Sequence, residues 1–417
     1  MPKHVLIVGG GVIGLCAALY AIQRGHRITI LERGAPDHDS CSLGNAGMIV
    51  PSHIIPLAAP GVVAQALKWM WNPQNPFYVK PRLDWDLLRW GLNFCSASNT
   101  AHVARSVPLL RDLHLASRAC YEELAASRGN DFGLVKKGLL MLCRTRHTLD
   151  EEARNAERAR SHGIPSEVLD AKQTAALEPG LRMNIAGSVH FPKDCHLSPD
   201  RFVADVSRML ESAGAEFSWR TEVVGWRAER ARIAAVRTNR GDIAADEFVL
   251  AAGAWSQAIA RDLRLKLPLQ AGKGYSLTLP NPRRLPSLCS ILTEARIAVT
   301  PMGAALRFGG TMEIAGLDDT VSTGRVQGII RAVPAYFPEF EPGDFRDIRP
   351  WHGLRPLSPD GLPYLGRTAR YDNLIIATGH AMMGVSLGPI SGKLVAQILS
   401  GERLAVDISP LNPDRYA

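Results

Sequence analysis

The chain has 417 residues, 46% of them apolar and 21% charged, with a formal net charge of +8. At about 150 residues per domain this length predicts two or three domains, and the apolar fraction excludes general disorder. No apolar run is long enough for a membrane-spanning helix. The N-terminus reaches a strand-like run and a glycine cluster without the pattern of a secretory leader, so we predict a cytoplasmic protein.

Cysteine usage and charge distribution exclude two further classes. The seven cysteines are scattered and none forms a C-x-x-C pair, so we predict free thiols, no disulfide framework and no metal site. The basic residues occur singly, as at Arg105, Arg111 and Arg118, without blocks interleaved with aromatic residues. We therefore expect no nucleic-acid binding, whereas an anionic substrate or membrane surface is compatible with the charge.

The first 32 residues carry the most informative motif. The apolar run 4–8 predicts a buried strand of a parallel sheet, and it leads into Gly9-Gly-Gly11-Val-Ile-Gly14. Apolar residues at helical spacing follow up to Gly25, and a second strand over 27–31 ends at Glu32. A strand, the spacing G-x-G-x-x-G, a helix and then an acidic residue together predict a dinucleotide-binding turn.

Each residue of this motif has a physical role. Gly9 permits a tight turn, Gly11 lets the backbone approach a pyrophosphate, and Gly14 lets helix and strand pack closely. The helix N-terminus offers unpaired N–H groups and partial positive charge to the phosphates. Glu32 can accept hydrogen bonds from a ribose, which disfavours NADP, although the neighbouring Arg33 leaves a 2′-phosphate open.

Two later strands also end in small residues. The apolar run 247–253 ends at Ala252-Gly253, and the run 373–379 ends at Gly379. Short predicted strands over 233–238 and 242–244 precede the first of them. We interpret these segments as late parts of one discontinuous dinucleotide-binding domain, which a contiguous NAD module would not need.

Short motifs continue along the whole chain: Ser42-Leu-Gly-Asn-Ala-Gly47, Leu57-Ala-Ala-Pro-Gly61, Ala66-Leu-Lys-Trp-Met70, Gly272-Lys-Gly-Tyr-Ser276, Trp351-His-Gly-Leu-Arg-Pro356, Pro359-Asp-Gly-Leu-Pro363, and Gly379-His380 leading to Gly384. Together they resemble the D-amino-acid oxidase-like flavoproteins, in particular the bacterial D-amino acid dehydrogenase small-subunit type. The resemblance implies an α/β fold, with a discontinuous Rossmann-like FAD-binding domain and an α+β substrate domain containing an antiparallel sheet. We predict the FAD-binding domain at 1–56, 196–261 and 346–417, and the substrate-binding domain at 57–195 and 262–345.

The resemblance also implies how FAD is held. FAD should be bound non-covalently, because no cysteine follows Cys289 to form the C-terminal thioether of sarcosine-oxidase relatives. The segment 42–47 would run past the pyrophosphate to the isoalloxazine ring, and Val223 would pair with adenine. The helix opening at Gly384 would point its N-terminus at the N1–C2=O edge, where it stabilises negative charge. The predicted FAD-binding residues are Gly9, Gly11, Val12, Ile13, Gly14, Glu32, Arg33, Ser42, Asn45, Ala46, Gly47, Met48, Val223, Ala252, Gly253, Trp255, Gly379, Met383, Gly384, Val385 and Ser386.

Four residues are predicted to act on the substrate. By resemblance, Arg355 binds the substrate carboxylate, which a planar guanidinium can hold bidentately; the alternative is a structural salt bridge. Tyr275 would reach the carboxylate or line the pocket, unless it is a core residue. His53 departs from the usual dehydrogenase pattern, which indicates altered substrate choice or a structural histidine. His380 would face the flavin or its ribitol. In this chemistry the Cα hydrogen leaves as hydride to flavin N5, and the protein orients the substrate.

A tryptophan-rich segment precedes the long helical region. Trp69, Trp71, Trp85 and Trp90 are four of the eight tryptophans, and basic residues such as Lys80 accompany them. Amphipathic aromatic residues beside cations are typical of a membrane interface, so peripheral contact with the inner face of a membrane is one interpretation that stays open. The alternative is a substrate lid or packing within the substrate domain.

The sequence therefore predicts FAD-dependent oxidative deamination of D-amino acids, with D-proline or a hydroxy-D-proline among the candidates. Electrons would pass to an acceptor other than O₂, such as a quinone or an artificial dye. Two alternatives stay open: a glycine or sarcosine-type oxidase producing peroxide, and a flavin-binding subunit of a larger dehydrogenase complex. The intact motif around Arg355 argues against the second alternative.

Overall fold

The computed structural model describes residues 1–69 and 75–417; Met70 and Trp71 of the predicted motifs lie outside the described residues. The α-helices are α1 (Val12–Ile22), α2 (Val62–Trp69), α3 (Trp85–Ala97), α4 (Thr100–Arg128), α5 (Arg146–Ser161), α6 (Ala171–Leu177), α7 (Pro199–Ser212), α8 (Ser256–Arg261), α9 (Thr323–Tyr336) and α10 (Gly384–Ser400). The strands up to the middle of the chain are β1 (His4–Val8), β2 (Arg27–Leu31), β3 (Met48–Ile49), β4 (Phe77–Val79), β5 (Leu139–Cys143), β6 (Glu167–Asp170), β7 (Gly187–Phe191), β8 (Cys195–His196), β9 (Glu216–Ser218) and β10 (Val223–Glu229). The remaining strands are β11 (Arg232–Thr238), β12 (Gly241–Ala244), β13 (Glu247–Leu250), β14 (Gln270–Leu279), β15 (Cys289–Leu292), β16 (Ile297–Met302), β17 (Ala305–Ile314), β18 (Trp351–Leu357), β19 (Tyr364–Arg367) and β20 (Leu374–Thr378).

One large sheet has the strand order β19-β20-β13-β1-β2-β9. Its pairs are parallel, except that the edge strand β19 runs antiparallel to β20. The central strands are almost entirely buried, as expected for runs of branched apolar residues covered on both faces. Its members come from three distant parts of the chain, so this sheet is discontinuous in sequence.

Helices α1 and α10 pack closely on one face of this sheet. A Cβ atom at Gly392 would overlap the backbone of Cys16, and one at Gly388 would lie 3.0 Å from Val12 Cγ2. Both glycines therefore permit the short distance between the helices. As a result, the N-termini of α1 and α10 open near the same edge of the sheet, where β1 ends at Val8 and β20 ends at Thr378.

The second large sheet has the order β18-β14-β17-β16-β15-β5-β7-β6, with β4 beside β17. Most of its pairs are antiparallel, and the pairs β15–β5 and β17–β4 are parallel. Strand β18 belongs to this sheet, although 346–417 was predicted to lie in the FAD-binding domain. The reason is its seven-residue antiparallel pairing with β14, which starts at Gln270 opposite Leu357. The predicted domain ranges, including 346–417, stay predictions.

Two smaller sheets accompany the two large ones. Strands β10, β11 and β12 form an antiparallel sheet, and its last two strands agree with those predicted near 233–238 and 242–244. Strands β3 and β8 form a short pair, with Met48 opposite His196.

The segment Ala381–Ser400 has the length and composition of a membrane span, with a mean hydropathy of 1.3. However, 78% of its most apolar window is buried inside the protein. Its apolar character therefore follows from its place in the core against α1 and α4.

Candidate functional site

The glycine turn between β1 and α1 has the geometry that its sequence predicts. Gly9 has a φ of +110°, and its N–H donates to the carbonyl of Leu31 at 2.9 Å. A Cβ atom at Gly9 would overlap the carbonyl oxygen of Ala251, and one at Gly14 would overlap that of Gly9. Only glycine fits at these two positions, because the turn brings three backbone segments into contact.

The acidic residue after β2 is bound to the same turn. The carboxylate of Glu32 accepts from the N–H groups of Gly10 and Gly34, both at 2.8 Å. On the other side, Ser42 Oγ accepts from the N–H of Val12 at 3.0 Å. Glu32 and Ser42 thus fix the first turn of α1, and each retains acceptor capacity for a ligand.

A cavity of about 660 Å³ opens at the ends of the central parallel strands, above the N-termini of α1 and α10. The predicted residues that line it are Gly9, Gly11, Val12, Ile13, Glu32, Arg33, Ser42, Asn45, Val223, Ala252, Gly253, Trp255, His380, Gly384 and Val385. The predicted residues outside its lining are Gly14, Ala46, Gly47, Met48, Gly379, Met383, Ser386, Arg355, Tyr275 and His53. The cavity thus collects most of the predicted cofactor residues and only one of the four predicted catalytic residues.

The part of the cavity beyond Glu32 has an aromatic and cationic wall. The Arg33 guanidinium lies 3.6 Å from the ring centroid of Trp255, a cation–π contact. Arg33 is therefore stacked on an indole ring. Val223 lies on the same cavity, at the start of β10.

His380 also lines the cavity, just after β20. Its Nε2 pairs with Ser391 Oγ at 2.9 Å, and its buried Nδ1 has no hydrogen-bond partner among residues 1–69 and 75–417. Burial lowers the pKa of His380 to about 3, so the ring is neutral at physiological pH. His380 therefore lines the cavity as a neutral ring, while its Nδ1 is enclosed by the protein.

The segment 42–47 is held against the second sheet by an arginine that sequence reasoning missed. Arg307 Nη1 donates to the carbonyl oxygens of Leu43 (2.8 Å) and Asn45 (2.7 Å), and its Nε donates to Thr278 Oγ1 at 3.0 Å. Gly47 has a φ of +70°, and its N–H donates to Asn45 Oδ1 at 2.8 Å. No local pattern around Arg307 indicates this role, because its partners in the loop, Leu43 and Asn45, lie more than 250 residues away in sequence.

The start of α10 is anchored from two sides. Ser386 Oγ accepts from the N–H of Val50 and pairs with His114 Nδ1, both at 3.0 Å. His114 Nε2 lies 3.3 Å from Met383 Sδ, and burial lowers the pKa of His114 to about 3. Ser386 and Met383 therefore support the helix N-terminus from behind, while Gly384 and Val385 reach the cavity. His114 was not predicted, since it is a lone histidine in a long helix.

Arg355 lies on β18, beside the cavity and not in its lining. Its Nη1 donates to the carbonyl of Thr311 at 2.7 Å. Among the described residues no carboxylate lies within 4 Å of the guanidinium, and loss of hydration lowers its pKa. The neighbouring titratable group is the thiol of Cys41, which lines the cavity. Burial raises the pKa of Cys41 to about 11, so the thiol is uncharged at physiological pH. The predicted alternative, a structural salt bridge at Arg355, is therefore wrong for the part of the chain described.

Tyr275 and His53 make contacts within the protein. The hydroxyl of Tyr275, a residue 1% exposed, donates to Glu313 Oε2 at 3.0 Å and accepts from the N–H of Ser322 at 3.1 Å. These contacts use the hydroxyl that was predicted to reach a substrate. His53 Nδ1 pairs with Ser52 Oγ at 3.1 Å, and burial lowers the pKa of His53 to about 4.

Ser52 links His53 to a buried acid. Its hydroxyl donates to Asp194 Oδ2 at 2.5 Å, and its N–H donates to Oδ1 at 3.0 Å. Burial raises the pKa of Asp194 to about 7. Asp194 was not predicted, because nothing in the loop between β7 and β8 distinguishes it from a surface acid.

Comparison with known proteins agrees with this geometry. The model of the FAD-dependent oxidoreductase family matches residues 4–398. Two proteins named D-amino acid dehydrogenase, from Granulibacter bethesdensis and Agrobacterium fabrum, are each 33% identical over 99% of this chain and 100% of their own length. The solved glycine oxidase of Geobacillus kaustophilus is 27% identical, with a TM-score of 0.79 over 100% of this chain and 99% of its own.

These findings confirm the predicted resemblance, the α/β fold with a Rossmann-like cofactor domain, and FAD as the cofactor. The residues fit FAD, since the close-packed glycine turn and the N-terminus of α1 suit a pyrophosphate. The chain belongs to the family of FAD-dependent oxidoreductases.

Proposed function

We propose that the protein is a D-amino acid dehydrogenase. The observation that carries this proposal is Arg355, a partly buried cation beside the FAD cavity with no acidic partner within 4 Å among the described residues. An amino acid brings the carboxylate that such a guanidinium binds bidentately. The relatives named D-amino acid dehydrogenase, which match along nearly the full chain, support the choice of D-amino acids.

Each residue group has a separate task in this proposal. Arg355 binds the substrate carboxylate and orients the amine carbon, and Arg307 holds the loop 42–47 in place beside it. His380 stays neutral and forms part of the wall beside the cofactor. FAD, when bound, supplies the two-electron acceptor for oxidation of the amine.

The test is reduction of the bound flavin in the absence of oxygen, followed by its visible absorbance. The substrates are a panel of D- and L-amino acids with D-proline, hydroxy-D-prolines, glycine and sarcosine. We expect loss of absorbance with D-isomers, and slow recovery on readmission of air. Loss of absorbance with L-isomers only would refute the D-specificity, and none with any amino acid would favour a flavin-binding subunit of a larger complex.

A second candidate is a glycine or sarcosine-type oxidase. The whole-length similarity to the glycine oxidase of Geobacillus kaustophilus favours it. The same experiment separates the two, because an oxidase would recover its absorbance rapidly in air and release a stoichiometric amount of peroxide. A dehydrogenase would need a dye or quinone for turnover.

The acceptor is proposed to be a membrane quinone, reached through an exposed apolar surface. Leu83, Trp85, Leu88 and Leu92 are 109%, 84%, 52% and 65% exposed, and the last three share one face of α3. Arg89 lies exposed on the same helix. An apolar face with an adjacent cation suits the interface of an anionic bilayer.

This contact can be tested by sedimentation with phosphatidylglycerol and phosphatidylcholine vesicles. We expect the protein to sediment with the anionic vesicles, and the double variant Trp85→Ser, Leu88→Ser to stay in solution. Val168→Ser, which removes an apolar residue of 42% exposure elsewhere, is the matched control. Equal sedimentation of the double variant and the wild type would contradict membrane contact through α3.

A further inference from the structure

An irregular position in β17 lies directly next to Arg355. Tyr275 pairs with Gly310 and Lys273 pairs with Glu313, so the single residue Gly274 on β14 faces two residues on β17. The first of these two is Thr311, which has a φ of +65°. This arrangement is a β-bulge whose first residue is in the left-handed region, a position that normally requires glycine.

The left-handed conformation is costly for threonine, because its branched Cβ crowds the backbone there. The side chain gains nothing in return, since Thr311 Oγ1 is buried and has no hydrogen-bond partner in the described chain. Strain of this kind persists only where the surrounding structure holds it, and it concentrates at functional sites. The bulge therefore needs an explanation outside the side chain of Thr311.

The backbone of the bulge supplies an explanation for its strained conformation. The carbonyl of Thr311 accepts the hydrogen bond from Arg355 Nη1 at 2.7 Å. In a regular antiparallel ladder this carbonyl would pair with the neighbouring strand or point away from the guanidinium. At the same time, a Cβ atom at Gly274 would overlap the Arg355 guanidinium. Thr311 thus holds the guanidinium by its carbonyl, and Gly274 leaves the space that the guanidinium occupies.

We propose that Thr311 and Gly274 are positioning residues that aim Arg355 at the substrate carboxylate. The bulge turns one carbonyl to bind a single nitrogen of the guanidinium, and this leaves the other donors of Arg355 free for a ligand. The inference rests on the proposed function, because it requires that Arg355 bind a carboxylate. It adds two residues that need make no contact with the substrate themselves.

The test compares Gly274→Ala with Gly309→Ala in the FAD-loaded protein. Gly309 lies on β17 in the same region, and a Cβ atom there would meet nothing closer than 3.8 Å. The readouts are the Kd of propionate by calorimetry, KM against kcat for the substrate found above, and the amount of bound FAD. We expect Gly274→Ala to weaken propionate binding and raise KM by at least about tenfold with FAD retained. Gly309→Ala should change neither by more than about threefold.

The variant Thr311→Gly distinguishes the role of the Thr311 carbonyl from the role of the Thr311 side chain. Glycine adopts positive φ without strain and keeps the carbonyl, so we expect propionate binding within about threefold of the wild type. If Thr311→Gly weakened binding as much as Gly274→Ala, the side chain and not the turned carbonyl would be responsible, and the proposal would be overturned.

Folding failure of Gly274→Ala has its own control. In the double variant Gly274→Ala, Arg355→Ala the overlap is absent, so we expect a folded protein with bound FAD. A double variant that still fails to fold would show that Gly274 does not serve Arg355. Failure of the proposed function looks different: the wild type itself would bind FAD and no propionate. Tight propionate binding by both the wild type and Gly274→Ala would refute the positioning role alone.

Discussion

Replacement of Arg355 by lysine tests the proposed carboxylate contact most directly. Lysine keeps the positive charge and loses the planar, two-nitrogen geometry. In the structure the guanidinium has one hydrogen bond, to the Thr311 carbonyl, and no carboxylate within 4 Å among the described residues. In the proposed function, the substrate carboxylate is the anionic partner of this guanidinium.

The expected loss of kcat/KM follows from the proposed ion pair between Arg355 and the substrate carboxylate. Removing one member of a buried, hydrogen-bonded charge pair costs about 2–5 kcal/mol, which corresponds to about 30- to 5,000-fold. We expect Arg355→Ala to lower kcat/KM within this range, and Arg355→Lys to lose less because the charge remains. Most of the loss should appear in KM, since the carboxylate is bound before and during the reaction.

The assay is steady-state turnover with an artificial dye, with bound FAD measured for each variant. Arg367→Lys is the matched control, because Arg367 is partly buried and pairs with Glu247 at 2.8 Å, away from the cavity. This control variant should keep kcat/KM within about twofold of the wild-type value. A change below about tenfold for Arg355→Ala, with FAD still bound, would refute the reasoning.

Three further predictions concern the cofactor site and the buried acid. Gly14→Ala should lose FAD on dialysis, because its Cβ would overlap the carbonyl of Gly9; Gly91→Ala, where the added atom meets open space, should keep it. Glu32→Gln should raise the Kd of FAD by at least about tenfold, measured by flavin fluorescence, since hydrogen bonds to a charged group contribute about 1.5–3 kcal/mol. Burial raises the pKa of Asp194 from 3.8 to about 7, so the folded state binds more protons than the unfolded state between these values. Stability should therefore fall as pH rises from about 4 to about 7 and level off above, and Asp194→Asn should flatten this fall in thermal unfolding curves. An unchanged slope in the variant would mean that another group titrates.

The cofactor side could be predicted from sequence because its determinants are local. The strand, the three glycines, the helix and Glu32 lie within one short segment, and their spacing alone defines the turn. The later pieces at Gly253 and Gly379 could be placed because parallel strands end at a common edge of the sheet. Of these, Gly253 reaches the cavity, whereas Gly379 packs near the ring of Tyr364.

The substrate side could be predicted only in part, because its contacts depend on strand register. The hydroxyl of Tyr275 was predicted to reach the substrate carboxylate. In the structure it is bound instead by Glu313, which lies 38 residues later in the chain. The bulge at Thr311 has no local signal, since threonine is an ordinary strand residue. Asp194 and His114 were missed for the same reason: their partners Ser52 and Ser386 lie 142 and 272 residues away.

Two arginines of the second sheet show why residue type alone does not identify a ligand-binding group. Arg307 and Arg355 both approach the loop region around Cys41 to Asn45, and both have pKa values lowered by burial. Arg307 makes three hydrogen bonds within the chain, from Nε to a hydroxyl and from Nη1 to two carbonyls. Arg355 makes one hydrogen bond within the described residues, and its remaining donors have no protein acceptor there. The three bonds of Arg307 fix the loop 43–45 to the second sheet. The single bond of Arg355 leaves most of its donors available, and we propose that a carboxylate, which matches those donors best, is its ligand.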